Sequence, residues 1–232
     1  MCGRFASSTP IAVLAEQFEV QEVKAPDLGE KYNVAPTDDV YAVAESKDGT
    51  RKLGTFHWGL VPFWSKDRKG GARMINARVE NLIKTHRRTL ERRRCLIPAD
   101  GFYEWQDRGE GKKKQPFFIH MKDGTPMAFA GLWEVWHDPD DDDADPFRTC
   151  SIITTDANQV VARTHDRMPI VLPQDAWSEW LDVENHDIEH LRSLLVPAPA
   201  ELFEVYPVSM DVNSVRNDGA HLVDPLEGHE PA

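Results

Sequence analysis

The chain has 232 residues, 41% of them hydrophobic, and a formal net charge of −12. This is enough apolar material for one sizeable core, no composition break asks for a second domain, no apolar run approaches the ~20 residues of a membrane span, and the acidic balance excludes indiscriminate nucleic-acid binding. A cytoplasmic, monomeric domain over 1–223 with a loose tail over 224–232 is expected: the N-terminus lacks a basic-then-apolar leader, and three cysteines without metal-type spacing suit a reducing compartment.

The first five residues are Met1-Cys2-Gly3-Arg4-Phe5. A small residue after the initiator permits removal of Met1, which would leave Cys2 with a free α-amine of pKa about 7.7–8.0 beside a thiol of about 8.5. An amine and a thiol two carbons apart suit an aldehyde: the amine condenses to an imine and the thiol closes a five-membered thiazolidine. For an arbitrary protein, a cysteine at this place is an ordinary terminal residue. Its neighbours make more of it, since Gly3 allows close approach, Arg4 offers a fork for phosphate or carboxylate, and Phe5 can anchor the segment.

Thr9-Pro10 reads as a helix N-cap and first position, followed by Ile11, Leu14, Ala15 and Phe18 on one face. Residues 33–37, NVAPT, read as a loop; Val40–Glu45 and Arg51–Trp58 read as a hairpin turned at Asp48-Gly49. Residues 58–64, WGLVPFW, carry too much Gly, Pro and aromatic content for a regular element. Between Ser65 and Arg94 eleven Lys/Arg stand against three Asp/Glu, whereas Asp138–Asp145 holds six aspartates. The first run suits a basic face or a solvated helix, the second a surface loop. A helix follows Asn76-Ala77-Arg78, with Val79, Leu82, Ile83, His86 and Leu90 near helical spacing and His86 half-buried on its face.

Strands are expected over Cys95–Trp105, Pro116–Met121, Met127–Trp136 and Phe147–Thr154, joined by short turns into an antiparallel core, with Cys95 and Cys150 as inert buried thiols. Then come a helix over Asp156–Arg163, a strand over Met168–Leu172, helices over Asp175–Leu181 and Ile188–Leu195, and a strand over Leu202–Met210. The class is α+β. His186 and His190 have the i, i+4 spacing of paired metal ligands, but no third ligand is near and both are read as solvent-facing. No metal or cofactor is expected.

Four residues stand out in turn or strand-end settings: Cys2, Asn76, Glu104 and His165. Each alone is more commonly structural. Together they suit aldehyde capture. An amide orients the amine, a carboxyl desolvated beside Tyr103 and Trp105 opens a cyclic sugar and moves protons, and an imidazole donates near the sugar oxygen or phosphate. Arg4, Arg78 and Arg167 each lie within two residues of one of the four, well placed for phosphates.

The segments MCGRF, YNVAPT, WGLVPFW, NARVE, CLIPADGFYEW, FAGLWE, TTDAN, HDRMPIVL and VNSVRNDG, spread over nearly the whole chain, resemble the SRAP (SOS-response-associated peptidase) family. The resemblance implies a single domain with a mainly antiparallel, barrel-like β core and peripheral helices. It also implies that mature Cys2 forms a thiazolidine with the ring-opened sugar of an abasic site in single-stranded DNA, shielding it from cleavage. By the same resemblance Asn76 positions the amine, Glu104 handles ring opening and proton transfer, and His165 assists at the sugar and phosphate. Arg4, Arg78 and Arg167 would hold phosphates, and Pro36, Trp58 and Trp64 would line or wedge the DNA. The acidic insertion at 138–145 departs from the family pattern. Two other readings stay open: a cysteine peptidase acting on itself or others with Cys2 as nucleophile and His165 as base, and a non-covalent single-strand binding module.

Overall fold

A computed structural model describes residues 2–228; the expected loss of Met1 and the end of the tail, 229–232, lie outside the described residues. In chain order the strands are β1 (Phe5–Ser7), β2 (Glu22–Val23), β3 (Lys31–Val34), β4 (Asp39–Glu45), β5 (Arg51–Trp58), β6 (Asn76–Arg78), β7 (Arg94–Ala99), β8 (Gly101–Gln106), β9 (Gln115–Met121), β10 (Met127–Trp136), β11 (Phe147–Asp156), β12 (Arg167–Pro169) and β13 (Phe203–Pro207). The helices are α1 (Ile11–Gln17), α2 (Leu82–Arg92), α3 (Trp177–Leu181) and α4 (Ile188–Ser193).

Strands β11, β10, β7, β4 and β5 run in that order, and a short parallel pairing of β5 with β11 closes them into a barrel. β2 extends β5, while β6 and β12 add to β11. A second sheet, β13-β9-β8-β1-β3, lies beside it. Most ladders are antiparallel, and the fold is the expected α+β barrel-like domain with few helices.

Stretches of β4, β7 and β10 read as near-continuous apolar runs because both faces are covered. Alternation sends Val40, Ala42, Cys95, Ile97, Phe129, Cys150 and Ile152 into one apolar cluster and Tyr41, Val43, Leu96, Ala128, Ala130 and Ile153 into another. The second cluster takes in Leu14 and Phe18 from α1 and its end, Leu82 and Leu90 from α2, and Trp177, Trp180 and Leu191 from α3 and α4. Phe18 stacks on Trp177 with centroids 4.6 Å apart. Arg94, almost fully buried, donates to the carbonyls of Leu90 (2.7 Å), Trp180 (2.6 Å) and Asp182, so one guanidinium ties α2 to α3, and burial lowers its pKa to about 10.

Several local expectations need correction. Thr9 does not cap α1: its hydroxyl donates to Asp100 Oδ1 (2.5 Å), and the helix starts behind Pro10 with no side-chain cap. Asn33 and Val34 belong to β3, not a loop, because β1 pairs with them. The expected strand 95–105 is two strands in different sheets, parted at Asp100, whose carboxylate accepts from Ser8 and Thr9. The expected helix 156–163 is a single 3-10 turn, Val161–Arg163. No helix among the described residues is long and apolar enough to cross a membrane.

Candidate active site

The site sits where four chain segments meet at the end of β11. Phe5 anchors the N-terminal segment: it is fully buried, with ring centroids 5.1 Å from Trp58 and 6.0 Å from Phe129. β1 lies between β3 and β8, with Phe5 opposite Val34 and Phe102. One step back, the Tyr103 N–H donates to Arg4 O (3.0 Å), which brings Glu104 alongside the first described residues. Cys2 is thus held at a fixed place inside the protein, fully buried.

Asn76 arrives from the opposite side. β6 pairs in parallel with β11, Asn76 opposite Ile152 and Arg78 opposite Thr154. Asn76 Nδ2 then donates to the Cys2 carbonyl (2.8 Å), while its buried Oδ1 has no hydrogen-bond partner among the described residues. The segment reaches β11 because Gly59 turns away from β5 at φ +147°, where a Cβ would lie 2.8 Å from Gly71 O.

Glu104 is buried on β8, and burial raises its carboxyl pKa from 4.5 to about 7, with Asp166 adding to the rise and Lys114 opposing it. Burial, then the Glu104 charge, pushes the Cys2 thiol far up. His165 follows the Val161–Arg163 turn and leads into β12, which pairs with β11 through Arg167 and Asp156. Its Nδ1 accepts the Arg167 N–H (3.0 Å), and its Nε2 lies 3.9 Å from Glu104 Oε2. Asp166 Oδ1 is 2.9 Å from the same Nδ1, but one nitrogen cannot both accept that N–H and donate to the carboxylate. Burial lowers the His165 pKa, favouring the neutral ring with its proton on Nε2, toward Glu104.

The four residues singled out in the sequence therefore converge. The flanking six divide. Arg78 and Trp64 are exposed and Pro36 is half-buried. Arg4, half-buried, donates to Asn33 Oδ1 (2.6 Å) and Val212 O (2.8 Å), so it also ties down the C-terminal part of the chain. Trp58 presents no surface at all: it is fully buried and donates its indole N–H to Ile75 O (2.9 Å), supporting the wall behind Asn76 rather than facing a ligand. Arg167 is also largely enclosed, held by Glu80 (2.5 Å), Asp156 (2.7 Å) and Thr154 O (2.8 Å), which leaves its charge already matched. Lys114, whose charge reaches both Glu104 and His165, stands out only in the structure. In sequence it is one of three lysines in a turn, Lys112–Lys114, and nothing distinguishes it. His190 pairs with Glu179, and no cluster that could hold a metal ion exists among the described residues.

The chain is similar to known proteins along nearly its whole length. The abasic site processing proteins YoqW and YoaM of Bacillus subtilis are 40% and 41% identical over 97% and 99% of this chain, covering 99% and 100% of their own. YedK of Escherichia coli, named in the same way, is 35% identical over 97% of this chain and 100% of its own. The crystal structure of a protein from Bacteroides thetaiotaomicron superposes with a TM-score of 0.84 at 26% identity, covering 97% of this chain and 99% of that one. The model of the family described as SOS response associated peptidase matches residues 1–215, and the chain belongs to that family.

Proposed function

We propose that the protein recognises abasic sites in single-stranded DNA and captures them covalently through mature Cys2. The observation that carries this reading is the placement of Cys2 between the Asn76 amide, 2.8 Å from its carbonyl, and a Glu104 carboxyl whose pKa is raised to about 7. The names of the relatives support the substrate.

With Met1 removed, the Cys2 amine lone pair adds to the C1 aldehyde of the ring-opened sugar, and loss of one water gives the C1=N imine. The thiol then adds across that bond: sulfur joins C1, its proton passes to nitrogen, and the ring closes with no change of oxidation state. A carboxyl titrating near neutrality can protonate the ring oxygen, assist departure of the water and return a proton. Asn76 fixes the cysteine backbone so that the amine faces the sugar. Neutral His165 offers an Nε2–H donor at the sugar or phosphate, while exposed Arg78, Arg4 and the aromatic Trp64 suit phosphates and bases of a single strand.

A cysteine peptidase needs a thiolate, and burial beside Glu104 works against one. Denaturing electrophoresis of the mature protein with abasic and intact single strands separates the readings. Wild type should give a heat-stable adduct on the abasic strand alone, with little strand cleavage. Cys2→Ala retains an α-amine, so it should give only a borohydride-trappable adduct and more cleavage by β-elimination. Equal heat-stable adduct from both proteins would remove the thiol from the bond and end the thiazolidine assignment.

A further inference from the structure

The barrel closes through only two paired positions of β5 and β11, His57 with Thr149 and Trp58 with Cys150. Upstream the two strands part, and β2 takes the edge of β5 at Lys52 and Leu53. Between them the barrel wall opens into a cavity of about 570 Å³ whose lining includes Lys52, Thr55, Phe56, Trp133 and Arg148. That volume is ordinary for a small-molecule site. The cavity is separate from Cys2: Arg148 stands four residues before Ile152, the β11 partner of Asn76, so the two sites lie on the order of 13 Å apart along the strand.

The chemistry of the wall is specific. Phe56 and Trp133, part of the barrel's interior layer, meet edge to face with centroids 5.6 Å apart. Trp58, Trp105, Trp136, Trp177 and Trp180 each give the indole N–H to a protein acceptor. Trp133, like the exposed Trp64, gives its own to none among the described residues. At the rim, Lys24 and Lys52 share Glu22 (3.0 and 3.4 Å), Glu45 lies 3.7 Å from Arg51, and Arg148 makes no ion pair among the described residues. Arg93 sits over the Trp133 ring at 5.3 Å, inside a second cavity of about 510 Å³ that shares Trp133 and Glu45 with the first.

We propose that this seam cavity binds a nucleotide: its base against Trp133 and Phe56, its base edge on the Trp133 N–H, and its phosphate on Arg148 with Lys52. A planar group with a hydrogen-bonding edge and a separate anion matches all three features of the wall. An acyl chain would leave the indole unpaired, and an acidic peptide lacks the flat ring for the floor. The same chemistry is offered by a free nucleoside monophosphate or by one nucleotide of a strand passing the seam.

Isothermal titration with dAMP, deoxyadenosine and an intact oligo-dA strand tests the site, using wild type, Arg148→Glu and Trp133→Leu. Arg148 is exposed, so its replacement leaves the fold intact, and adduct formation at Cys2 serves as the independent check on each variant. Sub-millimolar dAMP binding that falls at least tenfold in Arg148→Glu and weakens in Trp133→Leu would establish the site with a free nucleotide. No dAMP binding, but a threefold or greater loss of strand affinity in the same variants with Cys2 adduct formation unchanged, would assign it to a strand. Deoxyadenosine binding as tightly as dAMP, dAMP binding indifferent to the variants, or no binding together with unchanged strand affinity would each overturn the proposal.

Discussion

Replacing Glu104 with Gln tests whether a buried, proton-holding carboxyl sits beside Cys2. Burial raises this group from 4.5 to about 7. Between those pH values the native carboxyl keeps its proton while the unfolded one has lost it, so the native state binds more protons and stability falls as pH rises. The contribution is fully present below about pH 4.5 and gone above about pH 7. At about 1.36 kcal/mol for each pH unit, roughly 3 kcal/mol is lost across the window. Gln keeps the shape and does not titrate. Its stability relative to wild type should therefore improve by about 3 kcal/mol between pH 4.5 and 8, which for a domain of this size is roughly 6–12 °C in Tm. Thermal melts of both proteins at several pH values measure this directly, since other titrating groups cancel in the difference. Parallel curves would refute the buried carboxyl. In the same variant adduct formation should slow by ~10²–10⁴-fold with strand affinity kept, and unchanged kinetics would leave Glu104 a structural residue.

Intact-mass measurement should find Met1 absent from adduct-forming protein, because a preceding residue turns the Cys2 amine into an amide; adducts from protein retaining Met1 would contradict the imine route. Asn76→Ala removes the donor to the Cys2 carbonyl and should slow adduct formation while costing about 1 kcal/mol in a denaturant melt. Arg78→Ala should flatten the salt dependence of strand binding by a log-log slope of about 0.7, the value for one phosphate contact. Arg167→Ala should instead lower stability by about 1–3 kcal/mol, because Glu80, Asp156 and Thr154 O lose their donor. Asp100→Ala frees Ser8 and Thr9 and should cost a similar 1–3 kcal/mol, with faster proteolysis near the N-terminus.

The hairpin of β4 and β5 was legible because Asp48-Gly49 lies between two β-rich runs, and Gly49 does adopt φ +78°. The division of 95–105 was not. Cys95 to Trp105 is mostly apolar on both sides of Asp100-Gly101, and only the partners of each half reveal that β7 belongs to the barrel and β8 to the other sheet. Thr9 misled for a similar reason: a hydroxyl before Pro reads as a cap until a distant carboxylate takes it.

Cys2, Asn76, Glu104 and His165 could be singled out as candidates from the chain alone because residue type, turn context and family motif agree at each, and chemical capability is a local property. Their meeting at the end of β11 depends on tertiary pairing, parallel for β6 and antiparallel for β12, that no local pattern encodes. Exposure is also non-local. Trp58 and Trp64 stand six residues apart in one aromatic segment, yet one is sealed behind Asn76 and the other is 73% exposed. Sequence determined the available chemistry. Which groups face a ligand, which titrate near neutrality and which charges are already matched was decided by packing, because desolvation and Coulomb energy depend on neighbours brought together across the whole chain.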